Sequence, residues 1–316
     1  MLAKQVARYG VPVAIVATFV VFSVLRPDSF LTELTMKGIL RDCVPLMIAA
    51  LGITTVLAMN DYDLSTGGLV SLCATTVVVL LSSEWVGMNW ILAIIVTIAI
   101  GGLLGLVNGV LIACVRLPSF ILTIATGTVF AGLGLQIVDS QSVFEGIPQS
   151  FIELASGTFL GFSHQVFIGL VVLALAQIFL RHTEFGRYMY AIGGNPEAAR
   201  LSGVRVPMLR AIGFGLVGVA AAVAGILINS AAGAANPNTG IGLLLPAYAA
   251  AFLGSSMFKV GVFTPLGTAL GALYLQIIGT GLTILSLPGP VVQMIQGGIL
   301  VAAILVSRLT RAEEHR

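Results

Sequence analysis

Ten stretches of the sequence approach or exceed the length at which an apolar helix crosses a bilayer, about 20 residues. They lie near 10–25, 43–59, 64–82, 90–115, 119–138, 166–180, 209–232, 243–258, 262–285 and 290–307. Lipid offers no hydrogen bonds to backbone N–H and C=O groups, so runs of this kind fold as helices. The chain is 58% hydrophobic and 9% charged, against about 25% charged in an ordinary soluble domain. The expected class is therefore all-α, a polytopic membrane protein with about ten transmembrane helices, forming one membrane domain over residues 1–316. Several runs are short or contain Pro45, Pro246 or Pro265. Kinks and half-helices are expected there, and eight or nine spans is the competing count.

Charge sets the orientation. With the N-terminus in the cytoplasm, Lys4, Arg8, Arg116, five arginines between 181 and 210, Lys259, Arg308, Arg311 and Arg316 are inside, 12 of the 15 basic residues. Arg26, Lys37 and Arg41 fall outside, accompanied by Asp28, Glu33 and Asp42. Phe30, Leu31 and Leu34 could lay this segment in the interface as an amphipathic helix. The stretch from Asp139 to Gln165 has no Lys or Arg, as an external loop should. Lys4 and Arg8 before the first run imitate a signal peptide, but no A-x-A site follows, and the run is expected to be retained as the first span. Dispersed basic residues exclude a nucleic-acid surface, which needs a continuous stripe. Cys43, Cys73 and Cys114 read as buried packing residues, and His164, His182 and His315 have no ligand spacing, so no metal is assigned. Gly101, Gly105 and Gly109, with Gly267 and Gly271, form ridges at a spacing of four, expected at close helix crossings. An inverted repeat is the second explanation of that recurrence.

The longest polar interruption of the second half is Glu184 to Pro207. Gly193-Gly194-Asn195-Pro196 is expected to turn the chain sharply and then start a helix. Asn195 can cap the free N–H groups, Pro196 suits the first turn, and Glu197 faces the positive dipole end. Gly203 supplies the stop. The helix from Pro196 to Ser202 spans roughly 10 Å at 1.5 Å per residue, far too short to cross a bilayer. Ala199 is read as small because a partner surface approaches it.

This stretch resembles the permease subunits of ribose-type ABC importers, whose G-R-x-x-x-A-x-G-x-N-x-x-A-A-x-x-S-G-[IV] segment forms the coupling helix docked into an ATPase. The chain matches at Gly186, Arg187, Ala191, Gly193, Asn195, Ala198, Ala199, Ser202, Gly203 and Val204. The resemblance runs from about Phe30 to Ser307 and implies a type II ABC importer-like fold in the bacterial cytoplasmic (inner) membrane. It implies ATP-binding cassette partner subunits that carry the ATP and Mg, none bound by this chain. It also implies a periplasmic or extracellular solute-binding protein, and a second permease copy or a homologous permease. The solute implied is a monosaccharide or related sugar; permeases for amino acids or nucleosides share the architecture.

Two further regions bear on transport. Asn60 to Gly67 matches the family's G-[IF]-D-L-S-[VI]-G at Asp63, Leu64, Ser65 and Gly67, and departs from it with Asp61 in place of Gly. Two roles compete here. Intramembrane acids are costly and default to function, whereas Asp63 can cap a span beginning at Leu64, and Asp61 can sit in a water-filled turn. Asn236 to Gly267 matches the family at Pro237, Gly240, Gly242, Ala249, Ala250, Leu253 and Gly254, with Ser255, Val260 and Phe263 where glycine is expected, which marks a divergent branch. Asp61, Asp63, Ser65, Asn108, Asn229 and Gln276 are candidate groups along a translocation path, with helix-to-helix contact as the other explanation of the neutral ones. The chain has no G-x-x-x-x-G-K-[ST] phosphate loop, no G-x-S-x-G and no H-E-x-x-H, so it is expected to be no enzyme. An ion-coupled transporter is the competing class, resting on Asp61 and Asp63.

Overall fold

The computed structural model describes residues 2–301 apart from 84, 259, 260 and 300. In chain order its helices are α1 (Leu2–Leu25), α2 (Pro27–Phe30), α3 (Glu33–Ala58), α4 (Thr66–Leu81), α5 (Trp90–Val115), α6 (Ser119–Ile137) and α7 (Gln149–Ser156). A two-stranded hairpin, β1 (Thr158–Phe159) and β2 (Phe162–Ser163), leads to α8 (His164–His182), α9 (Glu184–Gly194), α10 (Pro196–Leu201) and α11 (Val206–Ala232). A 3₁₀ turn at Ile241–Leu243 opens α12 (Leu244–Gly254), and α13 (Pro265–Ile284) follows. Among the described residues six helices are long and apolar enough to span: α3, α5, α6, α8, α11 and α13. Pro12–Leu25, Thr66–Leu81 and Ile241–Gly254 are shorter apolar helices, and residues 289–299 are helical where the tenth run begins. Lys259, Arg308, Arg311 and Arg316, and the end of that run, lie outside the described residues.

Helix α3 is the central post. All residues from Cys43 to Ala58 are buried, so one uniformly apolar cylinder is surrounded by α8, α11, α12 and α13. Helix α5 buries a single stripe, Ala93, Thr97, Gly101, Gly105, Asn108, Gly109 and Ile112. Its opposite faces, and those of α6 and α8, leave Leu103, Ile121 and Leu175 more than 60% exposed, as lipid-facing surface requires. The glycine stripe lies against α11: a Cβ at Gly101 would stand 2.6 Å from the Gly218 carbonyl oxygen, and one at Gly109 2.6 Å from the Ala211 Cα. The expected close crossing is present, as is the one between Gly271 and Ala250.

Two expectations are revised. Residues 26–42 do not form one interfacial helix: Phe30 is fully buried beneath Phe19 and Phe22. Thr32 then caps α3, which runs unbroken from Glu33 into the core. Lys37 pairs with Glu33 at 2.5 Å and Arg41 with Asp42 at 2.7 Å, so two of the three exceptional cations have a neighbouring acid as partner. Cys43 and Cys73 are buried but Cys114, on the outer side of α5 near its end, is exposed. The 139–165 stretch is pinned down: Ser230 Oγ donates to the Phe151 carbonyl at 2.5 Å and accepts from Ala155 N at 2.9 Å, holding α7 on the end of α11.

Candidate functional site

At the other end of α11 stands the α9–α10 corner. Thr183 caps α9 by accepting from Gly186 N at 3.2 Å, and Arg187 pairs with Glu184 at 3.8 Å. Met189 and Ile192 bury α9's inner face. Gly193 and Gly194 stay within α9, contrary to the expected turn there. The corner is made by Asn195 alone, whose extended backbone (φ −156°, ψ 103°) brings its side chain over Glu197 N and Ala198 N, both at 3.0 Å. Gly193 has another purpose: a Cβ there would collide with the Ala58 carbonyl, so α9 rests directly on the end of α3. Ser202 closes α10, its Oγ donating to the Ala198 carbonyl at 2.9 Å, and Gly203 follows at φ +86°, a conformation that favours glycine.

The faces of α10 are reversed from expectation. Ala199 is 5% exposed and belongs to a buried cluster with Ile192, Val206 and Leu209. It is small because its own chain packs on it. The outer face carries the Glu197–Arg200 pair, at 2.6 Å, and Leu201, which is 80% exposed. Leu201 is the residue that sequence reasoning missed.

Beside α10 opens a groove of about 690 Å³, walled by Arg116, Phe120, Glu197, Arg200 and Arg210 with Asp61 at its inner side. Asp61 stands between α3 and α4. It is 6% exposed, and its Oδ2 lies 2.9 Å from Arg210 Nε on the first turns of α11. Burial pushes its carboxyl above the ordinary value, opposed by the Arg210 charge.

Deeper in, the chain between α3 and α4 is tied down residue by residue. Asp63 N donates to the Tyr248 hydroxyl at 2.8 Å and Leu64 N to Thr123 Oγ1 at 3.0 Å. Asp63 Oδ1 accepts from Ser65 N at 2.8 Å and from Ser65 Oγ at 2.5 Å. Asn108 Nδ2 donates to the same Ser65 Oγ at 3.0 Å. Asp63 thus organises the turn before α4, which begins at Thr66 with Ser65 as its cap residue, rather than capping a helix from Leu64. Asp63, Ser65 and Asn108 are all fully buried. Asn229 is elsewhere, donating from Nδ2 to the Ala74 carbonyl at 2.6 Å and stapling α11 to α4. Gln276 donates to Thr280 at 3.3 Å along α13. The six candidate path residues are therefore one ion-paired acid, one buried knot of three, and two separate helix contacts.

The family model described as "Branched-chain amino acid transport system / permease component" matches residues 35–304. The L-arabinose ABC transporter permease protein AraH of Azospirillum brasilense is 31% identical over 312 residues, covering 99% of this chain and 91% of the relative. The ribose import permease protein RbsC of Escherichia coli (strain K12) is 32% identical over 297 residues, covering 93% and 91%. The autoinducer 2 import system permease protein LsrC of Salmonella typhi is 33% identical over 303 residues, covering 96% and 86%. No solved structure matches.

Proposed function

The chain belongs to the branched-chain amino acid transport system permease family, and from its sugar-import relatives we propose that it carries a small sugar across the cytoplasmic membrane, driven by a partner ATPase docked on α10. It is a multi-pass ABC permease subunit of the sugar-import kind, not an enzyme. The observation that carries the docking reading is α10 itself. Six residues between α9 and α11, capped at both ends and rooted through Ala199, present Glu197, Arg200 and Leu201 outward on a packed base. An ATPase can bias the permease only as far as its contacts differ between conformations, and a stiff element at the base of α11 transmits such a difference. Relatives named for L-arabinose and ribose import support a monosaccharide as the solute. The remaining partners proposed are a solute-binding protein outside and a second permease copy, in a bacterial inner membrane. The ion-coupled alternative loses its footing, since Asp61 faces Arg210 and Asp63 holds Ser65. The test is co-expression with the neighbouring ATPase and binding protein: ATP-dependent uptake of L-arabinose or D-ribose supports the reading. Uptake driven by an ion gradient without ATP would overturn it.

A further inference from the structure

A second groove, of about 540 Å³, is lined by none of Asp61, Asp63, Ser65, Asn108, Asn229 and Gln276. Helix α11 carries the chain roughly 40 Å from the docking loop at 1.5 Å per residue. A bridge between Val143 and Ala235 then fastens the returning segment beside the 139–165 stretch. From there the 3₁₀ turn and α12 form a half-helix, Ile241–Gly254, too short to cross a bilayer. It is held at two points. Gly240 N donates to Ser71 Oγ at 3.0 Å, and the Tyr248 hydroxyl accepts from Asp63 N at 2.8 Å. One side of this half-helix packs on α13; the other, with Ile241, Leu245 and Pro246, faces Gln293 and Gln296 on residues 289–299, and Asn238 stands at the rim. Gln293 and Gln296 are three apart and share a helix face.

We infer that this groove is a passage for a neutral, polyhydroxylated solute, with Asn238, Gln293 and Gln296 as the groups that hydrogen-bond it. This rests on the permease reading and gives it a site. The three side-chain amides make no hydrogen bond among the described residues, although each offers donors and an acceptor. A sugar hydroxyl needs both at once, which a carboxamide supplies without a net charge. Among the described residues no charged side chain lines the groove, so neither a cationic nor an anionic solute finds a counter-charge in that lining. Ile241, Leu245 and Pro246 offer an apolar wall suited to the C–H face of a sugar ring, and the volume falls within the roughly 300–1,000 Å³ of small-molecule sites. Broken helices around such a space are how membrane proteins expose polar groups to a permeant solute.

The test uses the full transporter, this chain with its ATPase and binding protein, in proteoliposomes. In a background with Cys43, Cys73 and Cys114 replaced by serine, Asn238→Cys, Gln293→Cys and Gln296→Cys are each treated with a charged, membrane-impermeant thiosulfonate and with a hydrophobic maleimide. The passage requires reaction with the charged reagent at all three positions. Reaction with the maleimide alone means that lipid covers the groove, and disulfides between two copies without aqueous reaction mean that a second chain fills it; either overturns the inference. This readout needs no solute and decides the question even if neither probe sugar is carried. Where L-arabinose or D-ribose is taken up, the triple change N238L, Q293L, Q296L should lower uptake by roughly tenfold or more, as expected from losing several neutral hydrogen bonds, with ATPase association unchanged. Unchanged uptake in that variant, alongside lost uptake in a Leu201→Glu control, sinks the passage and leaves the permease reading standing.

Discussion

The Asp61–Arg210 pair permits a quantitative test, because it joins the loop before α4 to the first turns of α11 just beyond α10. At 2.9 Å the attraction is about 6 kcal/mol with an effective dielectric constant of 20, and about 1.4 kcal/mol in bulk water. Arg210 keeps 27% of its side-chain surface and Asp61 9%, so desolvation offsets much of the larger figure, leaving about 2 kcal/mol of net coupling. Asp61→Asn and Arg210→Gln each remove one charge at nearly constant volume. Each single change leaves the other charge uncompensated in a largely buried site, so the double change should cost less than the sum. Denaturant unfolding of the purified protein in mild detergent gives the cycle. An interaction term near 2 kcal/mol is expected, and Asp61→Arg with Arg210→Asp should recover part of it. Additivity of the two single changes within about 0.5 kcal/mol would refute the reasoning and reduce the pair to a crowded surface contact.

Leu201→Glu on the outer face of α10 should abolish ATPase co-purification while membrane insertion and thermal stability stay normal. Ala199→Glu should instead destabilise the permease itself, because a charge enters the Ile192, Val206 and Leu209 cluster, and equal thermal stability of the two variants would contradict these assigned faces. Gly203→Val forces a β-branched residue to φ +86°, and uptake should fall through misdirection of the chain into α11. Gly101→Val places its Cβ 2.6 Å from the Gly218 carbonyl, which should cost about 1–3 kcal/mol of overpacking and show as a lowered melting temperature. Single cysteines at Gln149 and Glu197 should label from opposite sides of the membrane with an impermeant reagent.

What could be read from sequence was whatever depended on neighbours in the chain. The Asn195 cap, Pro196 and the Gly203 stop lie within nine residues, and each has a backbone requirement that few residue types meet. The glycine stripe was legible because its period matches a helix face, although its partner α11 was not. Faces of short helices were illegible: in P-E-A-A-R-L no apolar stripe separates Ala199 from Leu201, and only tertiary packing with Val206 and Leu209 decides which is inside. The pairing of Asp61 with Arg210, and of Asp63 N with Tyr248, joins residues far apart in the sequence. Burial of an acid between spans signals that some partner exists; it does not say which. The amide at Gln296 was equally silent, since exposure toward a groove and exposure toward lipid look alike in a single sequence.

Two rigid contacts connect α9 and the proposed docking helix α10 to the regions where a solute could move. Gly193 lets α9 sit against the Ala58 carbonyl, where α3 ends and the tightly bonded 59–65 segment begins. The Tyr190 hydroxyl donates to the Phe263 carbonyl at 2.6 Å, reaching the connection between α12 and α13. There Gly254 and Gly267 bring the two helices together backbone to backbone, so α12 cannot shift without α13. If an ATPase docks on α10 as proposed, its displacement has two contact routes inward, one to Asp63 and the other to the Ile241–Gly254 half-helix, and these routes meet where Asp63 N bonds Tyr248. Tyr248→Phe keeps the ring packing and removes that junction. It should lower uptake at unchanged ATPase association, since the half-helix then loses one of its two polar tethers. Wild-type uptake in Tyr248→Phe would mean that the half-helix is driven through Phe263 alone.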